Sequence, residues 1–274
     1  MANPRIAIFA RLANGNVAPV RVIEGGHTRL SRTSHAIAYD EKNDEILIPN
    51  PLAEAVLVYR GNASGDEAPI RTIQGSRTLL QENDELALDN VHDELVVPTR
   101  QAILVFSRLA NGDVAPSRVI AGPKTKIFRA RGIAVDPINN ILVVGFNKGE
   151  NDPENGAILI FNRTDNGNVK PKAVIRGPKS GIIRINQMAV YPPKKLIVAA
   201  MPGLVDMMEP TNAFLGVWTY DDNGDVPPKW MIPIGPKTTL KKPFGVVLNP
   251  KNKEIIISDM RLNGVLTFSV PEIF

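Results

Sequence analysis

The sequence predicts an all-β fold made of one repeated unit, and three observations carry that prediction. Six short apolar runs, at 6–9, 56–59, 103–106, 158–161, 215–218 and 265–268, each end in an aromatic residue: Phe9, Tyr59, Phe106, Phe161, Trp218 and Phe268. Five residues beyond each of the first five aromatics comes a turn, at Asn14-Gly15, Ser64-Gly65, Asn111-Gly112, Asn166-Gly167 and Asn223-Gly224. No stretch holds a helical period over two turns, so the Val-, Ile- and Leu-rich runs bounded by Gly, Pro, Asn and Asp read as strands.

Aligned on the turns, the unit has four segments. Segment a is 35–40, 84–89, 131–136, 186–191 and 244–249; segment b is 45–50, 94–99, 140–145, 195–200 and 254–259. The a–b connections, such as 41–44 and 137–139, are short and polar, which predicts hairpins. Segment c is the aromatic-ended run. Segment d is 21–23, 71–73, 118–120, 173–175 and 230–232, and Pro19, Pro69, Pro116, Pro171 and Pro228 precede it. Proline cannot donate to a ladder, so segment d is placed at the outer edge of each sheet and the apolar segments a and b inside.

Four antiparallel strands per unit, repeated without helices, predict a β-propeller. The unit resembles NHL-type propeller repeats in Gly132-Ile133-Ala134-Val135-Asp136-Pro137, Ile257-Ser258-Asp259 and Ile158-Leu159-Ile160-Phe161. That resemblance implies the fold over essentially the whole chain, residues 1–274 as one domain. It leaves function open, because such propellers include enzymes, protein binders and RNA binders. Five a, b and d segments stand against six c segments. The expectation is five blades, closed by the N- and C-terminal strands, with 21–23 pairing with the blade built from 244–268. The alternative is six blades, one lacking strands a and b.

The chain of 274 residues is 43% hydrophobic and 22% charged, ordinary for a folded protein, and its net charge of +4 is mild. It has no cysteine, which excludes disulfides, thiolate metal sites and cysteine nucleophiles. No apolar run approaches the ~20 residues that span a bilayer. The residues Met1-Ala2-Asn3-Pro4-Arg5 lead into the first strand without a signal peptide. The expectation is a soluble protein with no membrane insertion, cytoplasmic or a mature secreted domain.

Propeller ligands usually bind around the central channel, on the face of the d–a and b–c loops. The d–a loops repeat glycine, a basic residue or imidazole, and a hydroxyl. The basic positions are His27, Arg77, Lys124, Lys179 and Lys237. A ring of such charges would attract an anionic or acidic partner; the same pattern also describes a solvated turn copied by duplication. Nucleic acid is a weaker partner reading, since only Phe128 and Phe244 lie near for stacking. The residues opening segment a are His35, Asp84, Arg131, Asn186 and Phe244, and they differ in every unit. Divergence at a repeated position points to a ligand site at the channel mouth. The best functional reading is a non-catalytic binding scaffold without a cofactor. The runner-up is a lactonase-like hydrolase holding one divalent cation such as calcium on Asn50, Asp84 or Glu85, Asn186 and Asp259, oxygen ligands suited to that ion. Two b–c loops are long, at 147–155 and 201–212, and the second carries Leu204, Val205, Met207 and Met208 for adaptable partner contacts.

Overall fold

The chain enters with a two-stranded ribbon, β1 (Arg5–Ile8) and β2 (Arg21–Glu24), and then lays down five antiparallel sheets in sequence. The first is β3 (Ala38–Asp40), β4 (Glu45–Asn50), β5 (Ala55–Arg60) and β6 (Arg71–Gln74). The second is β7 (Ala87–Asp89), β8 (Glu94–Pro98), β9 (Ala102–Ser107) and β10 (Arg118–Ala121). The third is β11 (Ala130–Asp136), β12 (Ile141–Asn147), β13 (Gly156–Asn162) and β14 (Ala173–Ile175). The fourth is β15 (Met188–Tyr191), β16 (Leu196–Met201), β17 (Phe214–Thr219) and β18 (Trp230–Pro233). The last has three strands, β19 (Pro243–Asn249), β20 (Glu254–Asp259) and β21 (Gly264–Ser269). This computed structural model describes residues 4–32, 34–147, 156–204, 210 and 212–274. It is a five-bladed all-β propeller, with short 3-10 turns as the helical pieces among the described residues. None of its helices is long and apolar enough to cross a membrane.

Segments a to d map onto the strands in order, a innermost and d outermost. Three first strands are shorter than expected: β3, β7 and β15 begin only at Ala38, Ala87 and Met188. In the fourth blade the amide of Ala200 donates to Gln187 O at 2.9 Å, toward strand a. Pro49 and Pro98 hold that position in the first two blades and have no N–H to give, so those ladders stop early. The strand-end aspartates Asp40, Asp89 and Asp136 are fully buried and cap the a–b turns. Asp136 Oδ1, for example, accepts the amides of Ile138 and Asn139 at 2.8 and 2.9 Å.

Neighbouring blades are stitched by a repeated ionic clasp. Glu45 takes a bidentate pair from Arg71 of its own blade, at 2.8 and 2.6 Å, and Arg108 of the next blade at 3.0 Å. Glu94 repeats this with Arg118, at 2.5 and 2.9 Å, and with Arg163 of the following blade at 2.7 Å. In the next interface the phenol of Tyr220 replaces arginine and donates to Asp136 Oδ2 at 2.7 Å. Burial first, and then that hydrogen bond to a carboxylate, raises the Tyr220 pKa and keeps the hydroxyl protonated. Apolar residues fill the space between blades, with Trp218, Tyr59, Phe106 and Phe161 among the largest side chains fully out of solvent.

The terminal strands meet at one seam, but not by the ladder expected. Residues 21–23 pair with β1, in the register Ile8↔Arg21 to Arg5↔Glu24, and the last sheet keeps three strands. The cause is local. β1 and β2 form a hairpin whose Ile6 and Ile23 pack on Ile46, Ile48, Leu57 and Tyr59 of the first blade. A parallel bridge from Ile23 to Gly65 fixes β2 there, as Ile73, Ile120 and Ile175 bridge to Gly112, Gly167 and Gly224. Contact with the last sheet comes from Arg11, whose Nη1 lies 3.0 Å from Glu254 Oε2.

The Glu94 clasp sets a pH dependence. The Arg118 hydrogen bonds, with the charges of Arg118 and Arg163, hold its carboxyl below the usual glutamate range despite partial burial. Its contribution is therefore present above the unfolded-state value and is lost as pH falls through the depressed folded value. Glu94→Gln should cost about 3 kcal/mol in urea unfolding at pH 7, the scale for removing one partner of a largely buried pair. The deficit should narrow below about pH 4. A deficit independent of pH would contradict the clasp.

Candidate functional site

The five residues that open segment a come together at one end of the channel. Asp84 sits between an imidazole and a guanidinium, its Oδ1 3.5 Å from His35 Nδ1 and its Oδ2 3.4 Å from Arg131 Nη1. The Phe244 ring stands edge-on to His35, centroids 6.0 Å apart, and the Arg184 guanidinium lies 6.0 Å from the Phe244 centroid. Asn186 is buried and donates to Phe244 O at 3.2 Å. His35, Asp84 and Arg131 keep 35%, 20% and 31% of their side chains exposed, so solutes can reach them. Each residue comes from a different blade, because each blade delivers the start of its inner strand to the same rim.

One residue further along stand Glu85, which the sequence offered only as an alternative to Asp84 in a cation site, and Gln187, which escaped the sequence reading. Gln187 reaches across the ring from the fourth blade: its amide donates to His35 O at 2.9 Å and lies 3.4 Å from Glu85 Oε1. Glu85 is almost wholly buried. Loss of hydration pushes its carboxyl well above the ordinary value and nearby Asp84 adds to that, against the Gln187 hydrogen bond and the charge of Arg131. The corresponding positions in the other blades are Ala36, Gly132 and Gly245, and a Cβ on Gly245 would fall 2.6 Å from Gln187 Oε1. Two long polar residues among Ala and Gly at an inward position are the signal that was readable.

Beside Arg131 a small pocket of about 90 Å³ is lined by Arg100, Arg129 and Arg131 together with Glu82 and Asp84. Glu82 and Arg129 both stand at left-handed φ, +47° and +46°, an uncommon conformation for residues with a Cβ. Arg100 pairs with Glu82 at 3.1 Å.

The repeated basic loops are turns that lock one unit to the next. The amides of His27, Arg77, Lys124 and Lys179 donate to the Oδ1 atoms of Asp66, Asp113, Asn168 and Asp225 at 2.7–2.8 Å. The repeated hydroxyl closes the turn, with Thr28, Thr78, Thr125 and Ser180 donating to the glycine carbonyl three residues back. That glycine is required. Gly25, Gly75, Gly122 and Gly177 hold φ between +113° and +133°, and a Cβ would press within 2.2–2.7 Å of the Asp or Asn side chain. The cationic side chains project from the loops, and carboxylates meet two of them: Asp66 lies 2.6 Å from His27 Nδ1 and Asp113 lies 3.5 Å from Arg77 Nε. Lys237, in the fifth turn, has no counterpart of those Asp and Asn partners, because no c–d connection follows the last sheet among the described residues.

The alternative cation set is not assembled. Asn50 is held by Arg29 O and Ser31, Asn186 by Phe244 O, and Asp259 by the amides of Lys241, Lys242, Arg261 and Leu262. Asp84 alone of the four stands among the charged side chains of the mouth. Among the described residues no cluster of three His, Asp or Glu side chains has a metal-binding arrangement. Of the long loops, 148–155, Val205, Met207 and Met208 lie outside the described residues.

No family model matches the chain, and no curated protein matches it, so the NHL-type resemblance read from the sequence is not shown. Solved structures do match. A chain of the crystal structure of the mitotic checkpoint complex aligns with a TM-score of 0.60 at 14% identity, over 92% of this chain and 65% of that one. A chain of Kuenenia stuttgartiensis hydrazine synthase aligns with a TM-score of 0.56 at 12% identity, over 86% of this chain and 58% of that one. The chain thus spans less than two thirds of both, and at these identities the likeness is one of β-propeller fold.

Glu85 offers a test of the site's electrostatics. An unfolded chain ionises glutamate near about 4.3, whereas the folded protein keeps the Glu85 proton to higher pH. Rising pH therefore favours the unfolded chain between those two values. Glu85→Gln, which mimics the protonated acid, should raise Tm at pH 8, and the gain should vanish below about pH 4. A Tm difference that is flat with pH would contradict a protonated Glu85.

Proposed function

We propose that this protein is a binding propeller whose channel mouth takes a small anionic group. The observation that supports the reading is the meeting of residues from five blades at one rim: His35, Asp84 and Arg131 are open to solvent, Phe244 stands against His35, and buried Asn186 donates to Phe244 O. Arg131 is the anchor. Its contact with Asp84, at 3.4 Å, is longer than a charge-assisted hydrogen bond, so a carboxylate or phosphate oxygen can compete for its donors. The balance of charge favours an anion. Three guanidiniums, Arg100, Arg129 and Arg131, face two carboxylates, Glu82 and Asp84, in the adjoining pocket. Desolvation pushes the carboxyl of neighbouring Glu85 well above its ordinary value, which favours its neutral form. Gln187 brings a neutral amide beside His35 and Glu85, Asn186 fixes the backbone of Phe244, and Phe244 forms an apolar wall. A few placed polar groups beside an apolar surface is the composition of a ligand site.

A larger partner would engage the same loop face. The basic turns give that face a weak positive bias, blunted by Asp66 and Asp113.

Thermal shift with inorganic phosphate and with mono- and dicarboxylates tests the reading. A binding anion should raise the Tm of the parent, Arg131→Ala should lose most of that shift, and Asp84→Ala should keep or enlarge it. An anion that stabilises all three proteins equally is not bound at this mouth.

A further inference from the structure

We infer that the seam between the last blade and the first is a strand-addition site that takes a β-hairpin from a partner polypeptide. The ribbon β1–β2 stands at the seam as the outer half of a blade. Its strands correspond to c and d, and no inner pair lies beside it among the described residues. The repeat states what normally fills that place. Around the rest of the ring, strand c is flanked by strand b.

Among the described residues nothing pairs with the inner backbone edge of β1. Val20 N donates to Ile8 O at 2.8 Å, so Ile8, and with it Ile6, directs its polar groups at β2. The alternation of an antiparallel strand then turns the N–H and C=O of Arg5 and Ala7 to the free side. Such an edge is a template for another strand.

The side chains facing the seam are exposed only there. Ile37 is 57% exposed, while its counterparts Leu86, Ile133, Met188 and Val246 are all 8% or less. Val265 is 67% exposed, while Val56, Ile103, Ile158 and Leu215 are at 0%. Phe9 is 49% exposed, against at most 1% for Tyr59, Phe106, Phe161 and Trp218. These residues come from the ribbon, the first blade and the last blade. Ile37 also lines a cavity of about 660 Å³ between the ribbon and the first blade, with Arg5, Ile6, Ala7, His35 and Ile48. Apolar surface of this kind, framed by a free edge, marks an interaction site.

Charge specifies the occupant further. The arginine opening strand d pairs with a strand-b carboxylate in the first two blades, Arg71 with Glu45 and Arg118 with Glu94. Arg21 holds the same place in the ribbon. It donates instead to the carbonyls of Gly61, at 2.7 Å, and Ala63. The fitting partner is a hairpin whose second strand begins with Glu or Asp and continues with Leu, Val or Ile, lying antiparallel to β1 with its carboxylate beside Arg21.

The chain supplies its own probe. A labelled synthetic peptide with the sequence of residues 84–99 carries such a hairpin, β7 and β8 with Glu94 at the start of the second strand. Added to the intact protein, it should bind saturably by fluorescence anisotropy and slow hydrogen exchange at the amides of Arg5 and Ala7. The same peptide with Glu94→Gln should bind about tenfold more weakly, the scale of a lost charged hydrogen bond. Because the change is in the peptide, the fold of the protein is not at stake. Absence of binding at about 1 mM peptide, the weak limit of specific association, would overturn the inference. So would equal affinity of the Gln peptide or of a scrambled one, or protection on β21 instead of β1. A concentration-dependent dimer that the peptide dissociates would assign the seam to a second copy and overturn the partner assignment.

Discussion

Glu45 lies between Arg71 of its own blade and Arg108 of the next, and Glu94 lies in the same way between Arg118 and Arg163. Arg108 and Arg163 are buried, and each also approaches the strand-end aspartate of the preceding blade, Asp40 at 3.6 Å or Asp89 at 3.5 Å. Taking such charges out of water is costly unless geometry and hydrogen bonds compensate. Here the bidentate arginine forks and the buried turn amides provide that compensation. The clasp therefore does more than add attraction between sheets. It allows one relative placement of adjacent blades, because any other leaves buried charge unpaired.

From that placement the rest follows. Strand c of each blade ends in an aromatic that fills the space beneath the preceding turn, as when Tyr59 donates to Thr28 O. The glycine-started turns then grip Asp or Asn of the following unit. A ring built of such neighbour contacts has the logic of a repeat array, in which each unit is stabilised by those beside it. The logic also fixes where the ring is weakest. At the seam one exposed pair, Arg11 with Glu254, does the work that Glu45 and Glu94 do elsewhere. Inside the ring, delivery of each inner strand to a common rim gathers His35, Asp84, Arg131, Asn186 and Phe244 without a dedicated insertion.

Much of this was legible in the sequence, for identifiable reasons. The aromatic-ended runs and the Asn-Gly turns recur at a fixed spacing, which gives the strands and their order, and the proline before each segment d gives its edge position. The convergence of the rim residues followed from the same alignment. Three things were not legible. The early ends of β3 and β7 depend on which face of strand b Pro49 and Pro98 present, a matter of pairing parity. The roles of Glu85 and Gln187 depend on reach across the channel, which needs the ring's dimensions. The pairing of residues 21–23 turned on a choice between a local hairpin and a distant sheet, and both satisfy the same pattern. The surplus sixth aromatic run, against five inner segments, did point to an irregular junction. The packing of Ile6 and Ile23 on the first blade decided its form. The basic turns are the converse case, where a charge pattern resolves mainly into hydrogen bonds of the backbone.

The central claim is that buried polar clasps lock the first four blades together, with apolar packing joining the fifth, in a ring interrupted at one seam. Residue-resolved hydrogen exchange under native conditions tests it most directly, since exchange reports the free energy of local opening. The account predicts the slowest exchange in β8, β9, β12 and β13, which lie within or beside the two arginine clasps, and much faster exchange in β1, β2 and β21. Equal protection all around the ring, or fastest exchange at the junction of the second and third blades, would contradict it.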